Sequence, residues 1–133
     1  MIEHRTRVRV RYAETDQMKF AHHSAYIVWF EMARIELMRG IAIDYAGMEK
    51  QGYLLPVLEI KAGFKLPARF DDQLEIVTLV ENPPRARLKF EYRVFNKKMQ
   101  MICDGYSAHA FMNAREKAVK PPKFFLEAFK RYC

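Results

Sequence analysis

The sequence has little of what disulfide-linked, zinc-binding and membrane proteins require. Only two of its 133 residues are cysteines, Cys103 and Cys133, too few for a disulfide framework or a cysteine-based zinc site. No apolar run is long enough to span a bilayer, and the N-terminus has no apolar stretch of signal-peptide length. These absences predict a protein of a reducing compartment, and we expect it to be cytoplasmic, with no membrane span.

Acidic residues are also scarce relative to basic ones. The chain has 23 Lys and Arg against 16 Asp and Glu, which gives a formal net charge of +7. Such a balance favours an anionic partner, which could be nucleic acid, an acidic protein or a phosphorylated small molecule. Because half of the residues are hydrophobic and the length suits one core, we expect a single domain over residues 1–133.

Hydrophobic periodicity predicts a strand, a loop and then a long helix. Residues 5–12 alternate between arginine and less polar side chains, which is typical of a half-buried strand. Residues 26–39 are helical, with Ser24 as the N-cap and Gly40 at the C-terminal end. This helix is apolar around most of its circumference, which indicates that protein surrounds it.

The rest of the chain is mostly β. A short second helix is predicted at 44–50, and a bulge is expected at Gly105. Strands are predicted at 54–65, 73–81, 86–95 and 99–112, followed by a short C-terminal helix at 123–132. Because successive strands joined by short turns form an antiparallel sheet, with the long helix on one face, the fold class is predicted to be α+β.

Two segments resemble the motifs of a known family. The first consists of Tyr12, Thr15, Asp16, His23 and Tyr26, followed by Glu31, Ala33 and Arg34. The second is the stretch Pro-Ala-Arg-Phe-Asp-Asp-Gln-Leu at 67–74. Together they resemble the 4-hydroxybenzoyl-CoA thioesterase-like hotdog-fold family, and more closely the small acyl-CoA thioesterases associated with the bacterial Tol-Pal system. The resemblance extends from about Val8 to Pro122.

This resemblance implies a hotdog fold, in which a curved antiparallel sheet wraps around a long central helix. It also implies a thioester hydrolase that converts an acyl-CoA to free acid and CoA, with no metal or organic cofactor, CoA being part of the substrate. Members of the family pair their sheet edges into homodimers, often assemble further into homotetramers, and place their active sites at subunit boundaries.

The resemblance assigns catalysis to Asp16 and His23. Asp16 acts as nucleophile or general base, and the backbone N–H around His23 polarises the thioester carbonyl, since a helix N-terminus can stabilise an oxyanion. The thiol that leaves has a pKa of roughly 8.5, so it departs without a strong acid. Taken alone, Asp16 is more typical of a turn residue. With Thr15, His23 and Tyr26 in register, the catalytic interpretation is favoured.

Candidate substrate-binding residues fall into two groups. Tyr26, Leu55 and Val57 are candidates for the acyl pocket, although ordinary core packing also explains apolar residues there. Arg69, Arg85 and Arg87 are candidates for the phosphates of CoA. Each taken singly is more typical of a solvated charge on a strand, and the phosphate contact is expected of the group.

Other polar residues of the first motif receive structural roles. Adjacent His22 and His23 should point in different directions, and no third ligand has suitable spacing, so no metal site is expected. Glu31 and Arg34 lie three apart and are expected to form a structural ion pair. Many relatives have a glycine in the loop after Asp16, where this chain has Met18 and Lys19, which leaves the acyl group open.

Three alternative functions compete with this interpretation. Basic charge and the aromatic strand at 87–95 suit an RNA-binding module, but that stretch lacks the glycines of an RRM core motif, so no nucleic-acid partner is expected. A non-catalytic hotdog module that binds an acyl carrier protein would also suit a positive surface. A hotdog dehydratase ranks lower, because such enzymes usually rely on a His in a different surrounding pattern.

Overall fold

A long helix packs on one face of a five-stranded sheet in the computed structural model, which describes residues 1–133. The elements are β1 (Ile2–Arg9), a 3-10 turn (Tyr12–Glu14), α1 (His23–Gly40), α2 (Tyr45–Lys50), β2 (Tyr53–Leu54), β3 (Val57–Phe64), β4 (Gln73–Val80), β5 (Arg87–Phe95), β6 (Met101–Ala110), β7 (Met112–Asn113) and α3 (Lys123–Tyr132). The main sheet is antiparallel with the order β1-β4-β5-β6-β3, and β2 pairs with β7 separately. The predicted α+β hotdog arrangement is confirmed, as is the C-terminal helix at 123–132.

Strict alternation gives the sheet its buried face. In β5 the even-numbered residues Leu88, Phe90, Tyr92 and Val94 are all buried, while the odd-numbered positions are more exposed. The ring of Phe30 from α1 stacks on Tyr92, with centroids 4.2 Å apart and planes 3° apart. Such aromatic contacts fix α1 against the centre of the sheet. None of the helices is long and apolar enough to cross a membrane.

Several predicted element bounds are wrong. The first strand covers Ile2–Arg9 rather than 5–12, because its pairing with β4 ends at Arg9↔Gln73. Tyr12 begins a 3-10 turn and is 78% exposed, so it does not lie on the buried face. The strands predicted at 54–65 and 99–112 are each divided, since β2 and β7 leave the main sheet. Pro56, which has no N–H to donate, lies at one of these breaks.

One side of α1 has no cover within the chain. Ile27, Val28 and Met32 are 41%, 48% and 47% exposed, so the prediction that protein surrounds this helix is not met by a single chain. The edge strand β3 also exposes apolar side chains, with Val57 at 45% and Leu58 at 49%. Large exposed apolar surfaces of this kind mark interaction sites.

Gly105 lies where the backbone of β3 approaches β6 very closely. A Cβ atom at this position would lie 2.0 Å from the carbonyl oxygen of Lys61. The pairing of Gly105 with Ala62 keeps a regular register, and the irregularities of these ladders fall between Val57 and Glu59 and between Val94 and Phe95. The bulge predicted at Gly105 is therefore wrong, and the glycine serves the close approach of two strands.

We expect Gly105→Ala to lower the free energy of unfolding by about 3 kcal/mol, because β3 must move away from β6 to admit a methyl group. Gly63→Ala is the matched control. Its Cβ would meet mainly the Asp104 side chain, with Oδ1 at 3.0 Å, and that side chain can rotate. Urea denaturation of both variants measures the difference, and equal losses would contradict this account.

Candidate active site

The loop between β1 and α1 holds Asp16 by one of its two carboxylate oxygens. Oδ1 accepts the N–H of Met18 at 2.9 Å and the N–H of Phe20 at 3.3 Å. Within the same loop, Lys19 has φ 67°, a left-handed conformation that explains why glycine would suit this loop. Oδ2 has no hydrogen-bond partner within the chain. Asp16 thus makes the local bonds of a turn residue and still keeps one oxygen free.

The first turn of α1 begins beside this loop. Its N-cap is His22, whose Nδ1 accepts the N–H of Ser24 at 3.1 Å, so the predicted cap at Ser24 is wrong. The N–H of Ala25 donates to the carbonyl of His22 at 2.9 Å. No oxygen of the loop or cap accepts the N–H of His23, which is a free donor at the positive end of the helix.

Asp16, His23 and Tyr26 line one cavity of about 280 Å³. Phe64, at the end of β3, forms another wall and contacts Tyr26 edge-on, with ring centroids 5.0 Å apart. Burial raises the pKa of Tyr26 to about 12, so its hydroxyl stays protonated and can donate a hydrogen bond. The structure therefore brings together three of the residues that the sequence indicated.

The adjacent histidines do not diverge as predicted. The rings of His22 and His23 lie against each other, with centroids 3.9 Å apart. No group of three or more His, Cys, Asp or Glu side chains comes together anywhere in the chain.

Four other predicted residues lie at the opposite end of the sheet. Val57 begins β3 and Phe64 ends it, so about 23 Å of strand separates Val57 from the cavity. Leu55 precedes Val57 and is buried in the core. Arg85 and Arg87 lie at this same end of the sheet and line a separate groove of about 1470 Å³. None of the four reaches the Asp16 cavity of the same chain.

Arg69 is the one predicted basic residue near the cavity. Its guanidinium lies over the ring of Phe20, 5.1 Å from the centroid, and Phe20 is part of the cavity wall. The backbone N–H of Arg69 donates to Asp72 Oδ2 at 2.9 Å, which fixes the turn that carries it. Arg69 therefore stands beside the cavity, next to its Phe20 wall.

Glu14 is a further residue of the site that the sequence did not reveal. Its carboxylate accepts the N–H of Arg11 at 2.7 Å and the indole N–H of Trp29 at 2.9 Å. The side chain is 9% exposed. Burial acts to raise its pKa, but the bonds from Arg11 and Trp29 outweigh burial and lower the pKa. Glu14 ties the Asp16 loop to α1 through Trp29, which lies fifteen residues away in sequence.

The sequence was compared with known protein families. A family described as the Thioesterase-like superfamily matches residues 10–129. The chain belongs to this superfamily.

Relatives within the thioesterase-like superfamily cover most of the chain. It is 31% identical over 117 residues to "Putative acyl-CoA thioesterase YneP" of Bacillus subtilis, covering 88% of this chain and 83% of the relative. It is 29% identical over 95 residues to "Acyl-CoA thioester hydrolase YbgC" of Escherichia coli O157:H7, covering 71% of each. The solved structure of a DHNA-CoA thioesterase from Staphylococcus aureus superposes with a TM-score of 0.94 at 30% identity, covering 98% of this chain and 91% of that one.

We expect Glu14→Gln to lower the free energy of unfolding at neutral pH by about 2 kcal/mol, because a neutral amide weakens two charge-assisted bonds. Since the pKa of Glu14 is lowered in the folded state, its carboxylate stabilises the fold fully at pH values above the ordinary pKa of 4.5. That contribution is lost as the pH falls through the folded-state pKa. Urea unfolding across this acidic range should show a shallower decline for the variant than for the unmodified protein.

The control for this change is Glu127→Gln. The Glu127 side chain is 59% exposed and only reaches Lys123 at 4.0 Å, so this variant should follow the unmodified protein at every pH. If Glu14→Gln declined as steeply as the unmodified protein, the role of Glu14 as an ionised anchor would be wrong.

Proposed function

We propose that this chain hydrolyses an acyl-CoA to free acid and CoA in the Asp16 cavity. The observation that carries this proposal is the pairing of two free groups at one cavity. One is the unbonded Oδ2 of Asp16, and the other is the N–H of His23 at the start of α1. The superfamily and the names of the relatives support the prediction of an enzyme, a thioester hydrolase.

The proposed chemistry uses both free groups. Asp16 either attacks the thioester carbonyl carbon or removes a proton from the water that attacks it. Negative charge then develops on the carbonyl oxygen, where the N–H of His23 and the helix dipole stabilise it. The C–S bond breaks and CoA leaves as a thiolate. After water attack the acyl group is already the free acid, whereas after direct attack it remains on Asp16 as a mixed anhydride that water then hydrolyses, which restores the carboxylate. Neither a metal nor an organic cofactor takes part in this proposal.

A second copy of the chain completes the site in this proposal. β3 is the last strand of the sheet, and Val57, Leu58 and Phe64 on it are 45%, 49% and 52% exposed. Antiparallel pairing of two β3 strands about a two-fold axis places the Val57 end of one beside the Phe64 end of the other. Leu55 and Val57 of one copy then lie near the Asp16 cavity of the other, as acyl-pocket residues. Such a homodimer can pair again into a homotetramer.

The same arrangement supports a division of the CoA-binding residues. Arg69 lies beside its own cavity, and Arg85 and Arg87 would act on the phosphates from a neighbouring copy.

Four further points stay predictions. They are an acyl carrier protein as partner, cytoplasmic localisation, a single domain over 1–133 and the association with the Tol-Pal system. The RNA-binding alternative is weakened because Lys89, in the aromatic strand, lies 3.8 Å from Glu91 and over the ring of Tyr106.

We expect Asp16→Asn to lower turnover of acyl-CoA by about a thousandfold while leaving the fold intact. The amide oxygen of Asn can still accept the N–H groups of Met18 and Phe20, so only the ionised oxygen is lost. Asp44→Asn is the control, because Asp44 is exposed and caps α2 without a side-chain hydrogen bond. Thiol release from a panel of acyl-CoAs measures the rates, and thermal melts check folding. Near-normal turnover in the Asp16→Asn variant would rule out the proposed role.

We expect Arg87→Gln to raise KM for acyl-CoA about tenfold, a loss of about 1.4 kcal/mol, with kcat nearly unchanged. The physical reason is the loss of a charge-assisted bond to a phosphate that takes no part in the chemistry. The same variant should treat acyl-pantetheine, which lacks the nucleotide, as the unmodified protein does. Arg93→Gln on the same strand is the matched control. If the KM values for acyl-CoA and acyl-pantetheine changed equally, Arg87 would have no role in binding the nucleotide part of CoA.

A further inference from the structure

The first turn of α1 is capped by an imidazole rather than by one of the short side chains that usually cap helices. Ser, Thr, Asp and Asn are the preferred N-caps, because their side-chain oxygens accept a backbone N–H of the first turn. Here His22 takes that place, and its Nδ1 atom accepts the N–H of Ser24 at 3.1 Å. The hydroxyl of Ser24 lies 2.8 Å from the same nitrogen. Two groups of Ser24 therefore converge on one lone pair of His22.

This cap requires one protonation state of the ring. A backbone N–H can only donate, so Nδ1 of His22 carries a lone pair and the hydrogen of the neutral ring lies on Nε2. A proton added to Nδ1 would leave two N–H groups facing each other. The protonated ring could still donate to the Ser24 hydroxyl, but it could no longer cap the helix. Histidine is the side chain that ordinarily changes charge between about pH 5 and 8, so this cap, unlike one made by Asn, depends on pH.

Protonation would act on the turn through charge as well as through the lost cap. His22 lies at the positive end of the α1 dipole, where a cation destabilises the helix. The ring of His23 lies against the ring of His22, with centroids 3.9 Å apart, so the two imidazoles share this position. A proton taken up here therefore weakens the first turn in two ways.

Charged side chains of the neighbouring segments do not replace the lost cap. Glu14 accepts the backbone N–H of His22 at 2.7 Å through its carbonyl oxygen, while its carboxylate is bonded to the loop backbone and to the indole of Trp29. Asp16 in the loop and Lys65 just after β3 line the cavity, where their opposite charges act against each other. Asp16 Oδ1 is already bonded to its own loop. The imidazole is thus the group on which the first turn depends.

The cap determines which backbone donor of this turn stays free. The N–H of Ser24 is bonded to His22, and the N–H of Ala25 donates to the carbonyl of His22 at 2.9 Å. In this turn the N–H of His23 is the one left without an acceptor, and His23 lines the Asp16 cavity. Because His22 holds the two residues that follow His23, it fixes the direction of that free donor.

We propose that His22 is a positioning residue of the thioesterase site, whose neutral imidazole holds the first turn of α1 so that the His23 N–H meets the thioester carbonyl oxygen. This inference rests on the proposed thioesterase function and adds a pH-dependent control to it. Protonation of His22 releases Ser24, the turn frays, and turnover falls. Substrate binding changes little, because the His23 N–H acts mainly on the charge that develops in the transition state.

The test is the pH dependence of kcat and KM for acyl-CoA across the range in which histidine changes charge. We expect kcat of the unmodified protein to fall about tenfold from about pH 8 to about pH 5, with KM changing less than about twofold. His22→Asn supplies a cap that does not titrate, so kcat near pH 8 should stay within about twofold and this decrease should disappear. His22→Phe keeps a ring against His23 but has no acceptor, so its kcat should be about tenfold lower throughout.

His4→Asn is the matched control for these variants. His4 lies on β1 beside Gly40, at the other end of α1, and its ring bonds to the Thr6 hydroxyl at 3.3 Å. The pH profile of this variant should follow that of the unmodified protein. Thermal melts check that each variant folds. Contributions from carboxylates lie at lower pH than those of imidazoles and should remain in every variant.

A spectroscopic measurement tests the cap without turnover. The chain has four histidines and two serines, so labelling both residue types with ¹⁵N gives few signals, and the His22→Asn variant assigns those of His22. We expect Nδ1 of His22 to be unprotonated near pH 8, and the backbone N–H of Ser24 to shift with the same midpoint as the ring. A Ser24 signal that does not follow the titration of His22 would overturn the inference.

The outcomes separate this inference from the function on which it rests. If kcat of the unmodified protein is constant across this range, if the decrease persists in His22→Asn, or if His22→Phe is as active as His22→Asn, the inference is overturned while the thioesterase function stands. If no thioester is hydrolysed at any pH, the proposed function fails, and the inference fails with it.

Discussion

The position of α1 on the sheet determines where the groups of the candidate active site lie. Phe30, Ala33 and Leu37 are fully buried, and the stacking of Phe30 on Tyr92 sets where along the sheet the helix lies. Once that contact is made, the first turn of α1 falls at the end of β3, beside the Asp16 loop. The free N–H of His23 is therefore positioned by core packing, which is stiffer than a loop could be.

The Asp16 loop is attached to that frame rather than free to move. The hydrogen bond from the Trp29 indole to Glu14 links the loop to the buried side of α1. Just before the loop, the backbone N–H of Val10 donates to the carbonyl oxygen of Asp72 at 2.9 Å. Asp16 itself uses only one carboxylate oxygen to close its turn. One oxygen of this carboxylate thus has a structural role, while the other has no partner within the chain and is left free for the role proposed for it.

Much of this could be predicted from the sequence, and the errors have physical causes. Alternation identified β5 and the composition of 26–39 identified the central helix, because both signals are local. The bond between Glu14 and Trp29 spans fifteen residues, and the burial of Arg34 depends on strands that come much later. Neither could be derived from spacing. Predicting the distance between Val57 and Asp16 also requires the sheet order, since only the pairing of strands shows which of their ends lie together.

Two incompletely bonded polar groups meet at the Asp16 cavity. They are Asp16 Oδ2, in the loop before α1, and the N–H of His23, in the first turn of that helix. The buried side chains leave two further atoms unbonded, Nη1 of Arg34 and the neutral hydroxyl of Thr78, and the hydroxyl costs far less to leave unbonded than the charged group does. Both of these atoms are sealed from solvent, and neither residue lines the Asp16 cavity. Their cost is therefore borne by the core, whereas the free groups of Asp16 and His23 lie where a ligand can reach them, which is the physical reason for regarding that cavity as the binding surface.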